Sequence, residues 1–278
     1  VSRLSLEDYD IIHTHGDDHF LRTRRPVVRT FYGSSRAEAE NSTNFRGRLY
    51  HLSMAVPERM SEKRATDRTV ISDFTLRYLT RPATVIPCGY DPTVFFLAGV
   101  KSTSPSILFV GDLGTRKRAE LLLETFAKAV RPAVPAAELW MVTTAPVSAP
   151  GVRWFGRIST PVLADLYRQA WVFCLPSRYE GFGVPYIEAM ACGTPVVATC
   201  NGGADEVLED GRWGRLVREQ DLGQTLVELL NFEDIRRSFT QRGLERVKSY
   251  DISLIAEQYE AVYEQAMASS PCGTAKMK

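Results

Sequence analysis

Apolar residues along the chain fall into short bursts separated by longer stretches in which they recur every three or four positions. The bursts predict strands and the periodic stretches predict helices; their alternation predicts an α/β protein with parallel, doubly wound sheets. Four strands are expected in the first third, at 10–15, 26–31, 69–72 and 83–87. The segment 91–106 carries Pro and Ser and has the character of a connection between domains. Beyond it the alternation restarts with a strand at 107–110 and a helix over 117–130, on which Leu121, Leu122, Phe126 and Val130 share one side. Strands at 138–143, 152–155, 172–175, 195–199 and 215–217 follow, with helices near 161–170, 185–192, 203–209 and 220–231 between them. Two further helices, 234–248 and 252–268, have no strand after them, and 269–278 is a small, polar tail. The pattern divides the chain into 1–95, 96–252 and a terminal helix with tail, 253–278.

Composition narrows the classes. Among 278 residues, 34 basic side chains face 33 acidic ones, a net charge of +1, so the excess of Lys and Arg that grips a phosphate backbone is missing and nucleic acid is not expected as a partner. A hydrophobic share of 44% with 24% charged residues is that of a soluble globular protein, and no apolar run approaches the roughly 20 residues of a bilayer span. Cys88, Cys174, Cys192, Cys200 and Cys272 form no C-x-x-C pair; they are expected as buried thiols, and the expected compartment is the cytoplasm.

A doubly wound sheet binds ligands beyond the carboxyl ends of its strands, where helix N-termini offer unpaired N–H groups. The stretch after strand 172–175, running from Ser177 to Pro195, carries the strongest signal there. Gly181 and Gly183 permit unusual backbone angles and close ligand approach, and Pro185 suits the first helical turn. The free amides at a positive helix end would stabilise an anion such as a diphosphate, each effect contributing about 0.3–2 kcal/mol. Glu180 precedes the helix and Glu188 lies about a turn inside it; carboxylates beside an anion site serve best as acceptors for hydroxyl groups, which points to a polyol or sugar joined to a phosphate. The plainer alternative is a tight turn followed by a solvated helix.

These residues also carry a family resemblance. Glu180 and Glu188 form an E-x7-E motif, and E-G-F-G-V-P-Y-I-E-A-M-A-C-G-T-P-V-V-A resembles the signature of retaining glycosyltransferases of the GT-B fold, the large family 4. V-I-P-C-G-Y-D at 85–91 resembles the family's interdomain linker, I-L-F-V-G at 107–111 with Lys117 its first strand and phosphate clamp, and N-G-G-A-D-E at 201–206 its G-G-x-x-E loop. The resemblance covers about residues 8–268. It implies two Rossmann-like domains facing a cleft, with 1–95 a truncated acceptor-side domain, 96–252 the nucleotide-sugar donor domain, and 253–278 a helix crossing back toward the first domain. It implies that Glu188 accepts from the donor ribose, Glu180 from the transferred sugar, and that amides around Phe182, Gly183 and Val184 hold the diphosphate. Gly111, Gly203 and the Gly156-Arg157-Ile158 loop would line the donor site, with Lys117 and Arg116 neutralising the leaving group. The implied partners are a nucleoside-diphosphate sugar and a glycan, lipid or small-molecule acceptor, with no cofactor and no metal; the implied location is the cytoplasm, with peripheral attachment to the inner membrane face as a variant.

In the first third, His13 and His15 stand two apart at a strand end and so point to one face. Such a pair is also a metal motif, with His19, His51, Asp17 and Asp18 as supplementary ligands, and a metal-dependent hydrolase is the corresponding alternative. The resemblance implies instead that His15 touches the donor sugar near the reacting centre, and that Tyr32-Gly33 stands where the family carries His-Gly. Two departures stand out. Asp112 occupies the place of a diphosphate-binding Arg, so that Arg116 or Arg118 would substitute for it. The H-x-H strand begins at residue 10, ahead of which the family carries further β-α units; a fragment, a subunit completed by a partner chain and a minimal form are the three explanations. A non-catalytic nucleotide-sugar-binding protein is the second functional expectation.

Overall fold

A computed structural model describes residues 6–16, 18, 21–42 and 45–269. After a short turn the chain forms β1 (Ile12–Thr14), β2 (Val27–Phe31), α1 (Ser35–Glu40), α2 (Phe45–Arg64), β3 (Asp67–Val70), α3 (Asp73–Leu76) and β4 (Thr84–Val85). It continues with β5 (Ser106–Val110) and α4 (Ala119–Thr125), which runs through a π-helical turn, Phe126–Val130, into α5 (Arg131–Ala133). Next come β6 (Glu138–Val142), β7 (Val152–Trp154), α6 (Thr160–Gln169), β8 (Val172–Leu175), α7 (Val184–Ala191), β9 (Val196–Thr199) and α8 (Gly202–Leu208). The chain closes with β10 (Arg215–Val217), α9 (Leu222–Asn231), α10 (Glu233–Val247) and α11 (Ile252–Ala268). Two compact units result, one of residues up to Cys88 with those from Ser253 onward, the other of Gly89–Ile252. Residues 89–95 thus pack with the second unit: Phe95 is buried there with its ring edge-on to Tyr167.

The first unit is built on a parallel sheet of order β1-β2-β3-β4. Val28 of β2 and Ile86, just after β4, pack with Ile255, Val262 and Ala266 of α11 in one buried cluster, which is why the last helix belongs to this unit despite its place in sequence. The helices α1 to α3 answer to no periodicity in the sequence. α2 is the clearest case: Phe45, Leu49, Tyr50, Leu52 and Val56 are exposed while Ser61 and Glu62 are buried. Glu62 is satisfied by the N–H groups of Thr80 and Arg81 and by the Thr80 hydroxyl, so a carboxylate holds the loop after α3 where a pattern-based reading expects an apolar side chain.

The second unit holds six parallel strands in the order β10-β9-β8-β5-β6-β7. Both faces are covered, so β8 and β9 are buried along their whole length, as parallel strands require. From β5 the chain lays β6 and β7 to one side and β8 to β10 to the other, which makes the β5–β8 junction the point where strand order reverses and neighbouring crossovers part to leave a crevice. The helix expected over 117–130 starts at Ala119, because Arg118 takes the left-handed conformation with φ 56°. Of the cysteines, Cys174 and Cys192 are buried, but Cys88 is half-buried and Cys200 exposed, which corrects the expectation of uniformly buried thiols; Cys272 lies outside the described residues. Phe109 at the centre of β5 is fully buried, and Phe109→Ala is expected to cost about 3–5 kcal/mol, measured as a lowered midpoint of denaturant unfolding.

Candidate active site

The crevice at the β5–β8 junction is lined by the loops that follow those two strands. β8 ends at Leu175, and the chain then turns through Pro176–Phe182 to Gly183, whose φ of 104° precedes α7. A Cβ at Gly183 would lie 2.3 Å from the Tyr186 ring, so glycine is required by both angle and space. Having no side chain, Gly183 leaves the helix start uncapped. Pro185 has no N–H to offer, and among the described residues no protein group accepts from the N–H groups of Phe182, Gly183 or Val184. The turn is held in place by Gly203 at the start of α8, whose N–H donates to Glu180 O at 3.0 Å and whose missing Cβ would lie 2.6 Å from Phe182 O. Asn201 caps α8 by accepting from Ala204 N–H at 3.0 Å, while its Nδ2 donates to the carbonyls of Ser177 and Thr199.

The loop after β5 brings the positive charge. A Cβ at Gly111 would strike Lys117 Cδ at 2.4 Å; its absence lets the lysine stem fold over the strand end, where Nζ donates to Val110 O at 3.2 Å. Burial lowers the Lys117 pKa, partly offset by Glu180, Glu188 and Asp112, while Arg116 adds to the lowering. Arg116 donates to Tyr179 O at 3.0 Å and to Glu180 Oε2 at 3.3 Å, with its side chain 46% exposed; at that exposure the ion pair contributes about 0–1 kcal/mol. Arg118 is committed elsewhere, to Pro176 O, Thr199 Oγ1 and Glu219, and ties the two loops together from beneath.

The two carboxylates differ in kind. Glu180 is buried, with Oε1 accepting from Ser177 Oγ at 2.8 Å and Oε2 facing Arg116. Glu188 is half-buried, and among the described residues its carboxylate accepts from Tyr167 O–H, at 3.2 Å to Oε2. Desolvation raises its pKa to about 7, against the opposing effects of Tyr167 and Lys117. Asp112, in the loop after β5, is exposed and turned onto Thr144, whose N–H donates to Oδ1 at 2.7 Å; this bond holds the Asp112 carboxyl below the usual range. The loop after β7 places Arg157 exposed and Ile158 half-buried beyond Gly156, which packs under the Trp154 ring.

Lys117, Arg116, Glu180 and Glu188 are therefore brought together, with Gly111, Phe182, Gly183, Val184 and Gly203 shaping the walls. His15 is in the other unit, where its Nδ1 meets Tyr32 O–H at 2.9 Å. His13 has both ring nitrogens engaged, Nδ1 with Tyr263 O–H and Nε2 with Thr30 Oγ1, each at 2.7 Å. Burial, and then His15, lowers its pKa to about 4, and no cluster of three metal-ligating side chains occurs among the described residues. Asp17 and His19 lie outside those residues. Tyr167 and Ser177 shape the site without having been given a role in the sequence, and Arg118, expected as a substitute for the missing diphosphate-binding Arg, is bonded to Pro176, Thr199 and Glu219. Asn201 ahead of Gly-Gly carried an N-cap signal; Tyr167 is indistinguishable from a core residue on the apolar side of α6.

Three comparisons bear on this arrangement. The family described as "Glycosyl transferases group 1" matches residues 104–231, a span containing both loops. Phosphatidyl-myo-inositol mannosyltransferase of Mycolicibacterium smegmatis is 30% identical over 288 residues, covering 92% of this chain and 71% of the relative. Among solved structures, sucrose-phosphate synthase from Thermosynechococcus elongatus superposes with a TM-score of 0.79 at 26% identity, over 95% of this chain and 75% of that one. Anabaena HepE in complex with UDP and glucose shares the fold, with a TM-score of 0.73 at 17% identity over 92% and 78% of the two chains.

Glu188 has a stability signature. Its folded pKa of about 7 lies above the ordinary 4.5, so the stability it contributes is complete below pH 4.5 and lost as pH rises through about 7. The unfolding free energy of wild type relative to Glu188→Gln is expected to fall over that window, as measured by denaturant titrations at several pH values.

Proposed function

The chain belongs to the group 1 glycosyltransferases, and from that premise we propose that it is a retaining hexosyltransferase that moves a sugar from a nucleoside diphosphate to a hydroxyl acceptor. The observation that carries the reading is the meeting of three uncommitted amides, Phe182 to Val184, with Lys117 and with two carboxylates of different environment. Cleavage of the bond between the sugar anomeric carbon and the β-phosphate oxygen leaves charge on the departing diphosphate. Fixed N–H donors and an ammonium group aimed there lower the barrier without reorganising in the reaction. Glu188 is assigned to the ribose hydroxyls and Glu180 to the hydroxyls of the transferred sugar, with Ser177 and Arg116 fixing the Glu180 carboxylate. The acceptor hydroxyl attacks from the face the diphosphate leaves, a new bond forms at the anomeric carbon with retained configuration, and the hydroxyl proton passes to the departing phosphate oxygen.

Asp112 does not obstruct this scheme, because its carboxylate is satisfied by the Thr144 amide. Arg116, the half-exposed guanidinium beside Glu180, takes the second cationic role, since Arg118 is bound into the framework. The family pattern gives His15 a sugar contact; within its own unit its Nδ1 meets the Tyr32 hydroxyl at 2.9 Å. The acceptor is proposed to be a polyol, in line with the inositol lipid in the name of the mycobacterial relative; no helix among the described residues is long and apolar enough to cross a membrane.

The test is nucleoside diphosphate release from UDP-, GDP- and ADP-hexoses with polyol and glycan acceptors, with product configuration read by NMR coupling constants. Turnover with retention is expected, and Lys117→Ala is expected to lower kcat by about 100-fold or more. Inverted product, or release unaffected by Lys117→Ala, would overturn the assignment.

A further inference from the structure

The hydrogen bond behind Glu188 reaches beyond the donor site itself. Tyr167 of α6 is fully buried, its ring edge-on to Phe95 and Phe173 at centroid distances of 6.1 and 5.2 Å. A phenol so enclosed must spend its hydroxyl on a partner, since an unmade bond there leaves a polar group without water. The partner is Glu188 Oε2. Two consequences follow from the geometry. The carboxylate is held in orientation, because Oε2 is tied to the helix behind it, while Oε1 carries no part of that bond. The bond also favours the ionised form, since a carboxylate accepts from a phenol more strongly than a carboxylic acid does.

We propose that Tyr167 is a positioning residue of the donor site, fixing the orientation of the Glu188 carboxylate and holding it as an acceptor for donor hydroxyls; this rests on the donor-site reading above. The titratable groups facing Glu188 are Tyr167 from α6, Lys117 from the loop ahead of α4 and Cys192, just past the end of its own helix. Lys117 in turn faces Glu180, Arg116 and Asp112. Desolvation pushes Glu188 toward its neutral form while Tyr167 and Lys117 oppose this, so the residue sits near its own midpoint at neutral pH. Donor affinity is therefore set to rise as pH increases through about 7, and to decline again in the alkaline range as Lys117, its pKa lowered by burial, loses its proton. Removing the phenol hydroxyl shifts the lower limb toward higher pH and leaves the upper limb in place.

The experiment uses Tyr167→Phe, which keeps the ring and its packing. Calorimetric titration with whichever of UDP, GDP and ADP the wild type binds most tightly is run across pH, on wild type, Tyr167→Phe, Glu188→Gln and the double variant. In Tyr167→Phe, affinity at pH 7 is expected to fall about tenfold, and the lower midpoint to move up by about one pH unit, the scale of a hydrogen bond to a charged group. In the Glu188→Gln background the same substitution is expected to change affinity little. Equal losses in both backgrounds, or superimposable pH curves for wild type and Tyr167→Phe, would overturn the proposal and leave Tyr167 a packing residue. Carbon-13 NMR titration of the Glu188 carboxyl in the unliganded protein separates the two readings. A higher midpoint in Tyr167→Phe upholds the coupling even if no nucleotide binds, which would sink the donor-site reading alone; an unmoved midpoint overturns the coupling even if one does.

Discussion

The reversal of strand order between β5 and β8 is the constraint on which the second unit depends. Six parallel strands, of which β8 and β9 are buried along their whole length, must send their crossovers to either side of the sheet, and only where the winding direction changes do two adjacent loops diverge instead of covering each other. The loops that diverge here are Gly111 to Arg118 and Pro176 to Val184. Arg118, held left-handed, bonds to Pro176 O and Thr199 Oγ1, and Gly203 bonds to Glu180 O. Three loops are thus fastened below the crevice, and the groups left facing it are uncommitted amides, Lys117 and two acids.

That arrangement balances charge without quenching it. Under the proposed function a diphosphate needs positive potential, whereas sugar and ribose hydroxyls need acceptors, and one pocket would supply both. Glu180 is kept in place by Ser177 and by a half-exposed Arg116, so it is oriented without forming a tight ion pair that would consume the cation. Glu188 is paired with a neutral phenol instead. Burial raises the Glu188 pKa to about 7 and lowers that of Lys117. Asp112, the residue most at odds with an anion site, is drawn aside by a backbone amide of the neighbouring loop.

Much of this was legible in the sequence. Parallel strands announce themselves as unbroken apolar runs, and each of the ten predicted strands has a counterpart in the structure, the least exact being 69–72, which forms as Asp67–Val70. The motif from Glu180 to Pro195 pointed to the crevice because its glycines, proline and acids have few other uses in that order. The helices of the first third were not legible: α2 exposes Phe45 and Leu49 and buries Glu62, so its periodicity carries no signal. The π-helical turn at Phe126–Val130 likewise leaves no trace in the spacing of apolar residues. Tyr167 was hidden for a different reason, since a buried tyrosine on an apolar helix face looks like core until the partner of its hydroxyl is seen. His13 appeared as half of a metal pair, yet its two nitrogens are taken up by Thr30 and by Tyr263, some 250 residues along the chain, a contact no local pattern foretells.

The central claim is that the amides ahead of α7 and the Lys117 ammonium together grip a β-phosphate. It is tested most directly by comparing calorimetric affinities of a nucleoside diphosphate and the matching monophosphate, on the wild type and on Lys117→Ala. The account predicts that the diphosphate binds the wild type markedly more tightly and that the advantage shrinks in Lys117→Ala. Equal affinity for the two nucleotides in the wild type would contradict it.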